Sequence, residues 1–162
     1  MDLMDRAKLY LQRAKNELNL ARAIFKLSCE EKLKTEFELT ADSTFFSNVI
    51  ANSYYCIFYS AKAILASRGI RTFPPEEHKK TLNEFEKLVD SGKIDIELLR
   101  IYKSIVVKAE ELLNIFQKEK GKRGKFTYQK LPQANLQPAR ESLDNAEKFF
   151  RNIYLIIEKE TK

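Results

Sequence analysis

Residues 43–68 read STFFSNVIANSYYCIFYSAKAILASR, and this stretch decides the fold that the sequence predicts. It contains neither Gly nor Pro, and its apolar side chains point almost all round a helix instead of along one face. A helix of this kind is stable only when other elements surround it. We therefore predict a buried central helix that is capped at its start by Asp42 or Ser43 and ended by Gly69 in a left-handed conformation.

Three other stretches predict the helices that surround this centre. Their apolar residues recur at alternating steps of four and three over residues 7–25, 98–116 and 143–157. These steps average about 3.5 residues, which is the period of nearly antiparallel packing in helical bundles. Each stretch therefore presents one apolar face to the centre.

The eight Gly and Pro residues lie outside these stretches and so mark the helix ends. Pro74 and Pro75 predict the first turn of one further, short helix, because Pro is tolerated there. Residues 28–42 contain no Gly or Pro, so no helix-ending residue marks the boundary between the first helix and the central one. With 44% hydrophobic residues the chain can bury a core. We predict a single all-α domain over residues 1–162, an antiparallel up-and-down bundle of four to five helices.

Composition excludes several classes of protein and site. The two cysteines, Cys29 and Cys56, are too few for a disulfide framework and lack CxxC spacing, which favours a reducing compartment. One His cannot supply a ferritin-like di-metal bundle or a zinc site, and there is no Gly-rich phosphate loop, so we expect no metal and no cofactor. The first six residues lack an apolar signal core, and Lys62 interrupts the most apolar stretch. We therefore expect a cytoplasmic protein with no membrane segment.

The positive charge is confined to two segments. Of the net charge of +6, residues 118–130 carry +5, residues 62–80 carry +3, and the rest of the chain carries −2. A phosphate-binding patch produces this pattern, although two solvated loops would produce it as well. In the later segment the cations are interleaved with Phe126 and Tyr128, which can stack on bases, so single-stranded RNA or a nucleotide is the predicted ligand. The alternative is a solvated loop in which the rings of Phe126 and Tyr128 pack against the bundle.

His78 lies inside the earlier basic segment, seven residues after Arg71. Arg can hold a phosphate and His can transfer a proton near neutral pH, which together are the minimum for metal-free RNA cleavage. His78 and Arg71 are therefore the candidate catalytic residues. The alternative is structural, because His78 is in register with Leu82, Phe85 and Val89 and would lie at the rim of a helix's apolar face.

Residues 52–70, NSYYCIFYSAKAILASRGI, followed by His78-Lys79-Lys80 and Phe85, resemble the HEPN domain family of prokaryotic helical proteins. The order of a basic connection ending in Tyr128 and a last amphipathic helix over residues 140–157 is also similar to that family. The resemblance covers nearly the whole chain and is weak in the first helix. It implies an up-and-down helical bundle that commonly dimerises, is often encoded beside a minimal nucleotidyltransferase, and has links to nucleotide or RNA binding.

Some members of that family are metal-independent ribonuclease toxins, whose site is an Arg followed after four to six residues by a His near a late helix. At the corresponding place this chain has Arg123-Gly-Lys-Phe-Thr-Tyr128, in which Tyr stands where the His would be. A Tyr side chain, with a pKa of about 10, is a poor base at neutral pH. The resemblance therefore implies the non-catalytic branch, with His78 as that branch's common His-Lys position.

The residues and the resemblance support three hypotheses of function. The favoured one is a homodimeric HEPN-like binding module, not an enzyme, that binds nucleotide or RNA or partners with a minimal nucleotidyltransferase in a toxin-antitoxin-like setting. Its predicted binding residues are Arg68, Arg71, His78, Lys122, Arg123, Lys125 and Tyr128. The second is a metal-independent ribonuclease that uses His78 with Arg71 or Arg123. The third is a structural adaptor dimer, which exposed apolar residues on the first or last helix would favour.

Overall fold

The computed structural model describes residues 1–118 and 136–162. Over these residues the chain forms six helices and no strand. In chain order they are α1 (Leu3–Cys29), α2 (Glu31–Glu36), α3 (Phe46–Ser67), α4 (Glu77–Asp90), α5 (Ile96–Lys118) and α6 (Leu136–Thr161). They pack on one another, which confirms the predicted all-α helical bundle. None of the helices in the described part of the chain is long and apolar enough to cross a membrane.

Helix α3 lies at the centre of the bundle. It buries 14 of its 22 residues and contacts α1, α4, α5 and α6. Helices α1 and α6 each pack more extensively on α3 than on each other. The prediction of a buried central helix from residues 43–68 is confirmed, because apolar side chains on nearly every side leave α3 no wide face for water.

The apolar stripes predicted for the surrounding helices face this core. On α1 five of the six predicted positions are buried and Phe25 is half-buried, and on α6 all five are buried. The buried positions are Ala7, Leu11, Ala14, Leu18 and Ala21 on α1, and Leu143, Ala146, Phe150, Ile153 and Ile157 on α6. Tyr102 of α5 meets Phe85 of α4 at 5.6 Å and Phe149 of α6 at 5.8 Å between ring centroids, and the rings of Phe85 and Phe149 lie 5.3 Å apart. These three rings join the outer helices to one another.

The predicted cap of the central helix is wrong. Helix α3 begins at Phe46, and neither Asp42 nor Ser43 caps it. The Asp42 carboxylate instead accepts a hydrogen bond of 2.6 Å from the Thr40 hydroxyl within the loop. Phe46 is buried and its ring lies 6.0 Å from that of Phe25 on α1. A contact between helices therefore sets the start of α3, and it outweighs the local capping preference.

The loop before α4 also differs from its prediction. Helix α4 begins at Glu77, so Pro74 and Pro75 precede it and do not form its first turn. The reason is local, because Glu76 has a left-handed backbone with φ of 57°, which a right-handed helix cannot include. Gly69, with φ of 79°, follows the end of α3 as predicted, since a left-handed residue there costs Gly little.

Candidate ligand-binding surface around His78

The predicted site residues that the structure describes lie in different surroundings. Arg68, just after α3, forms an ion pair of 2.5 Å with Glu160 near the end of α6. The Arg71 guanidinium carbon lies 4.7 Å from the ring centroid of Phe73 in the loop between α3 and α4. The other predicted binding residues, Lys122, Arg123, Lys125 and Tyr128, lie outside the described residues. Arg68 is therefore committed to joining two helices, whereas Arg71 keeps its charge at the surface.

His78 is held by aromatic side chains of α3. It is the second residue of α4, and its ring stacks on that of Phe58 with centroids 4.0 Å apart and planes 14° from parallel. Its Nδ1 atom lies 2.6 Å from the hydroxyl of Tyr54, and Tyr55 meets it edge-on at 6.1 Å. Within the described residues His78 is thus oriented by rings and a phenol, and the residue stays exposed to solvent.

The protonation of this pair follows from its surroundings. Burial lowers the pKa of His78 below its usual 6.5, partly opposed by the negative charge of Glu77 and reinforced by the positive charge of Lys62. Burial also holds the pKa of the Tyr54 phenol well above its usual range. At neutral pH the phenol therefore keeps its proton and can donate it to Nδ1 of a neutral imidazole.

His78 belongs to a continuous group of six rings, which we call the aromatic surface. Its members are Tyr10 of α1, Tyr54, Tyr55, Phe58 and Tyr59 of α3, and His78 of α4. Neighbouring ring centroids lie 4.0–6.4 Å apart. Tyr54 and Phe58 are four residues apart, as are Tyr55 and Tyr59, and Tyr55 and Phe58 are three apart. Residues at these spacings are neighbours on one side of a helix, which is why the four rings project together from α3. Tyr55 is 40% exposed and His78 is exposed as well, so a ligand can reach these two rings from solvent, whereas Phe58 is buried beneath them.

Cations lie over the faces of these rings. The Arg13 guanidinium carbon is 5.2 Å from the centroid of Tyr59. The Lys62 ammonium is 5.0 Å from the centroid of Tyr10 and 5.7 Å from that of Phe58. Cations are attracted to the negative face of an aromatic ring, and they bring positive charge to the same place as the flat apolar area.

Lys62 also connects the aromatic surface to a small cavity of about 130 Å³. Its ammonium donates to the carboxylate of Glu77 and, at 3.3 Å, to the carbonyl of Thr72. Arg71 lines the same cavity. The structure therefore brings Arg71 to a cavity beside Lys62 and Tyr10, while His78, which stacks on Phe58, is not among the described residues that line it. The contacts of His78 within the described residues include no Arg and no carboxylate.

The sequence reasoning missed most of this surface. The sequence predicts Tyr54 and Tyr55 as part of an all-round apolar helix and places Tyr59 only within the stretch that resembles the HEPN family, and it gives no reason to single out Tyr10 and Arg13 of α1. A signal existed in the cluster of four aromatic residues within six positions, 54–59, close to Lys62. The contribution of α1 had no such signal, because the packing of α1 on α3 creates it.

The chain matches no protein-family model, no curated protein and no solved structure. Its function is therefore inferred from the contacts around His78 and from the sequence.

Proposed function

We propose that the chain is a HEPN-like binding module without catalytic activity that holds single-stranded RNA, or a nucleotide, on the aromatic surface. The observation that carries the proposal is the row of six adjoining rings with a solvent-exposed Tyr55 and with Arg13 over the neighbouring Tyr59. Every base has a flat face that can stack on such rings, and each phosphate carries a negative charge that cations attract. The arrangement suits a single strand better than a duplex, whose bases are already stacked.

The electrostatics favour the same ligand. Arg13 and Arg71 are both exposed, and each lies against a ring, so their charges face solvent beside flat apolar area. Lys62 is buried and paired with Glu77, so its charge is mostly balanced. In the proposed complex Arg13 and Arg71 contact the backbone phosphates, and the rings between them hold bases.

The test is the binding of a fluorescently labelled single-stranded RNA of about 12 nucleotides, followed by anisotropy at about 50 mM and about 200 mM salt. We expect binding that weakens with salt, and we expect Tyr55→Ala to weaken it about fivefold or more, because a stacked base contributes about 1–3 kcal/mol. The control is Phe37→Ala just after α2, whose ring is 65% exposed, against 40% for Tyr55, and belongs to neither the aromatic surface nor the cavity lined by Arg71. Equal losses in the two variants, or none in Tyr55→Ala, would contradict the proposal.

The later basic segment is tested separately with the triple variant Lys122→Ala, Arg123→Ala and Lys125→Ala. Loss of phosphate contacts should weaken binding to all sequences alike and make it less dependent on salt. Unchanged affinity and an unchanged salt dependence would remove this segment from the proposed site.

A metal-independent ribonuclease is the second candidate function, favoured by the exposure of His78 and by the charge of Lys62, which acts on His78 and lines the same cavity as Arg71. In this reaction His78 moves a proton to or from a ribose hydroxyl, and Arg71 holds the scissile phosphate. Incubation with RNA in a chelator decides between the candidates. Cleavage by the wild type that is lost in His78→Ala supports the ribonuclease, whereas equal cleavage by both, or none by either, supports binding alone.

We further propose that the chain acts as a homodimer, either as an RNA-binding module or as a structural adaptor. Exposed apolar side chains on α1 and α6 support this: Leu3, Leu9 and Leu20 on α1, and Leu155 on α6. Leu9 and Leu20 are 11 residues apart, about three turns, so they share one face of α1. Light scattering should give about twice the 19.0 kDa of one chain, and Leu9→Glu with Leu20→Glu should halve that mass. A measured mass of 19.0 kDa for the wild type would contradict the proposed dimer.

The resemblance also suggests a minimal nucleotidyltransferase as a protein partner in a toxin-antitoxin-like setting. A gene for a small nucleotidyltransferase next to the gene of this chain would support that partner. Joint elution of the two purified proteins from a sizing column would test it directly, and separate elution would argue against it.

A further inference from the structure

A groove of about 580 Å³ runs between α1 and α6, away from the aromatic surface. It exists because both helices pack on α3 more than on each other, which leaves a furrow where their outer sides meet. Its floor is apolar and buried, formed by Leu11 and Leu18 of α1 and Phe150 of α6. The volume lies within the range of about 300–1,000 Å³ that is typical of sites for small molecules.

The rim of the groove carries an excess of positive charge. Four cations, Lys8, Lys15, Arg22 and Arg151, line it against two acids, Glu147 and Glu158. Arg22 donates to Glu147 at 2.6 Å, so those two charges balance each other. Among the described residues Lys8, Lys15 and Arg151 then face Glu158 alone, and those that line the groove have a net charge of +2. An anion would be attracted to it.

Two aromatic rings complete the groove. Phe150 and Tyr154 are one helical turn apart on α6 and stack with centroids 6.0 Å apart. The Lys15 ammonium lies 5.6 Å from the Phe150 centroid, and Tyr154 is 41% exposed. A flat apolar group can therefore lie on Tyr154 and the floor while an attached acidic group meets Lys15 and Arg151 at the rim.

The groove and the aromatic surface lie on different sides of α1. Lys15 comes five residues after Tyr10, and Lys8 five residues before Arg13. Five residues turn an α-helix by about 140° beyond a full turn, so the lysines of the groove point away from the residues of the aromatic surface. A ligand in the groove is thus independent of the RNA proposed for the other side.

We propose that the α1–α6 groove binds a small amphipathic anion, a flat aromatic molecule that carries a carboxylate, sulfonate or phosphate group. Charge and shape select this occupant together: the apolar floor and rings accept the flat part, and three cations accept the acidic part. A second copy of the chain is disfavoured there, because a symmetric contact would bring two faces of charge +2 against each other. This proposal goes beyond the proposed function and does not rest on it.

The test uses two fluorescent probes of nearly the same shape, the anion 1-anilinonaphthalene-8-sulfonate and its neutral parent, N-phenyl-1-naphthylamine. We expect the folded wild type to bind the anion at one site, and more tightly than the neutral probe. Lys15→Glu should weaken binding of the anion about tenfold or more and leave the neutral probe nearly unaffected. Tyr154→Ala should weaken both probes, because it removes the exposed ring.

The matched control is Arg13→Glu, which changes the charge of the chain by the same amount on the other side of α1. It should leave binding of the anion unchanged, as should Tyr55→Ala. Equal weakening by Arg13→Glu and Lys15→Glu, no weakening by either, or equal affinity for the two probes would overturn the proposal. Weaker binding of the anion at higher protein concentration would also overturn it, because a second copy would then be covering the groove. Circular dichroism of each variant confirms that the helices are intact.

Discussion

The imidazole of His78 lies face to face on the ring of Phe58, with centroids 4.0 Å apart and planes 14° from parallel. The stack joins the first turn of α4 to the central helix α3, and the Tyr54 hydroxyl fixes the ring from its Nδ1 side. The only His of the chain is thus a member of a continuous aromatic surface. Its environment, and not its distance in sequence from an Arg, decides what it can do.

The titration of His78 should show this environment directly. Because the chain has one His, one imidazole signal in a proton NMR titration reports it without assignment. We expect a midpoint below 6.5, since burial opposes the charged ring. A midpoint at or above 6.5 would show that the charge of Glu77 outweighs burial at this ring.

The lowered pKa of His78 makes the unfolding free energy depend on pH. The unfolded chain takes up a proton at His78 near pH 6.5, whereas the folded chain does so only at lower pH, so acidification through this window favours unfolding. Urea unfolding at about pH 7.5 and about pH 5.5 should show a larger loss of unfolding free energy in the wild type than in His78→Gln. The carboxylates titrate in both proteins and cancel in the comparison. An equal loss in the two proteins would contradict the shift.

Removing Glu77 from its ion pair with Lys62 should cost more unfolding free energy than removing Lys62. The Lys62 side chain is 9% exposed and that of Glu77 is 26% exposed. Glu77→Ala leaves a buried ammonium without its partner and should lower the unfolding free energy by about 3 kcal/mol. Lys62→Met leaves a carboxylate that can reach water, so its cost should be smaller. Chemical denaturation measures both.

A surface pair on the same helix provides the control for that prediction. Glu84 and Lys87 are 2.9 Å apart, and the Lys87 side chain is 71% exposed. Glu84→Ala should therefore change the unfolding free energy by no more than about 0.5 kcal/mol. A larger cost for Lys62→Met than for Glu77→Ala would show that burial does not decide the energetics of the inner pair.

Removing the hydroxyl of Tyr102 should make the protein more stable. It is buried and has no hydrogen-bond partner among the described residues. Tyr102→Phe removes an unsatisfied polar group while the ring keeps its contacts with Phe85 and Phe149, so the unfolding free energy should rise by about 1 kcal/mol. Phe149→Ala, which opens a cavity in the same cluster, should lower it by about 3–5 kcal/mol. A loss in Tyr102→Phe would show that the hydroxyl is bonded after all.

The two cysteines should react differently with thiol reagents. Cys29 is exposed, whereas Cys56 is buried and burial raises the pKa of its thiol to about 12. Alkylation of the folded protein followed by mass spectrometry should therefore add one group, and alkylation in denaturant should add two. Cys29→Ser should remove the fast-reacting site. Rapid modification of Cys56 in the folded protein would mean that the contact of α3 with α6 opens readily.

Periodicity was a sufficient guide to the long helices α1, α5 and α6, whereas the short α2 was not predicted. The stripes of α1 and α6 are buried nearly as predicted, because a face that repeats every 3.5 residues can meet a core in only one orientation. Local signals were less reliable. Asp42 and Pro75 are good start signals, yet α3 begins where Phe46 meets Phe25, and α4 begins after the left-handed Glu76.

Prediction of the candidate site was partial for a related reason. His78 and Arg71 were found from residue type and charge, but a link between them was expected from their spacing alone. In the structure the ring of Phe58 lies beside His78, and Lys62 lies between that ring and the cavity that Arg71 lines. The rings around His78 come from α3, 20 to 24 residues earlier in the chain, and Tyr10 of α1 lines the cavity with Arg71.

By itself the sequence determined that this chain forms helices, that residues 43–68 are the buried centre, and that Gly69 ends it, because periodicity and backbone preference are properties of neighbouring residues. Only the tertiary structure decided which polar and aromatic side chains share a surface. The packing of α1 on α3 brings Tyr10 and Arg13 to Tyr59, and the approach of α1 to α6 makes the groove of Lys15 and Tyr154. Such surfaces depend on how far apart and at what angle two helices lie, and the pattern along a single helix does not contain that information.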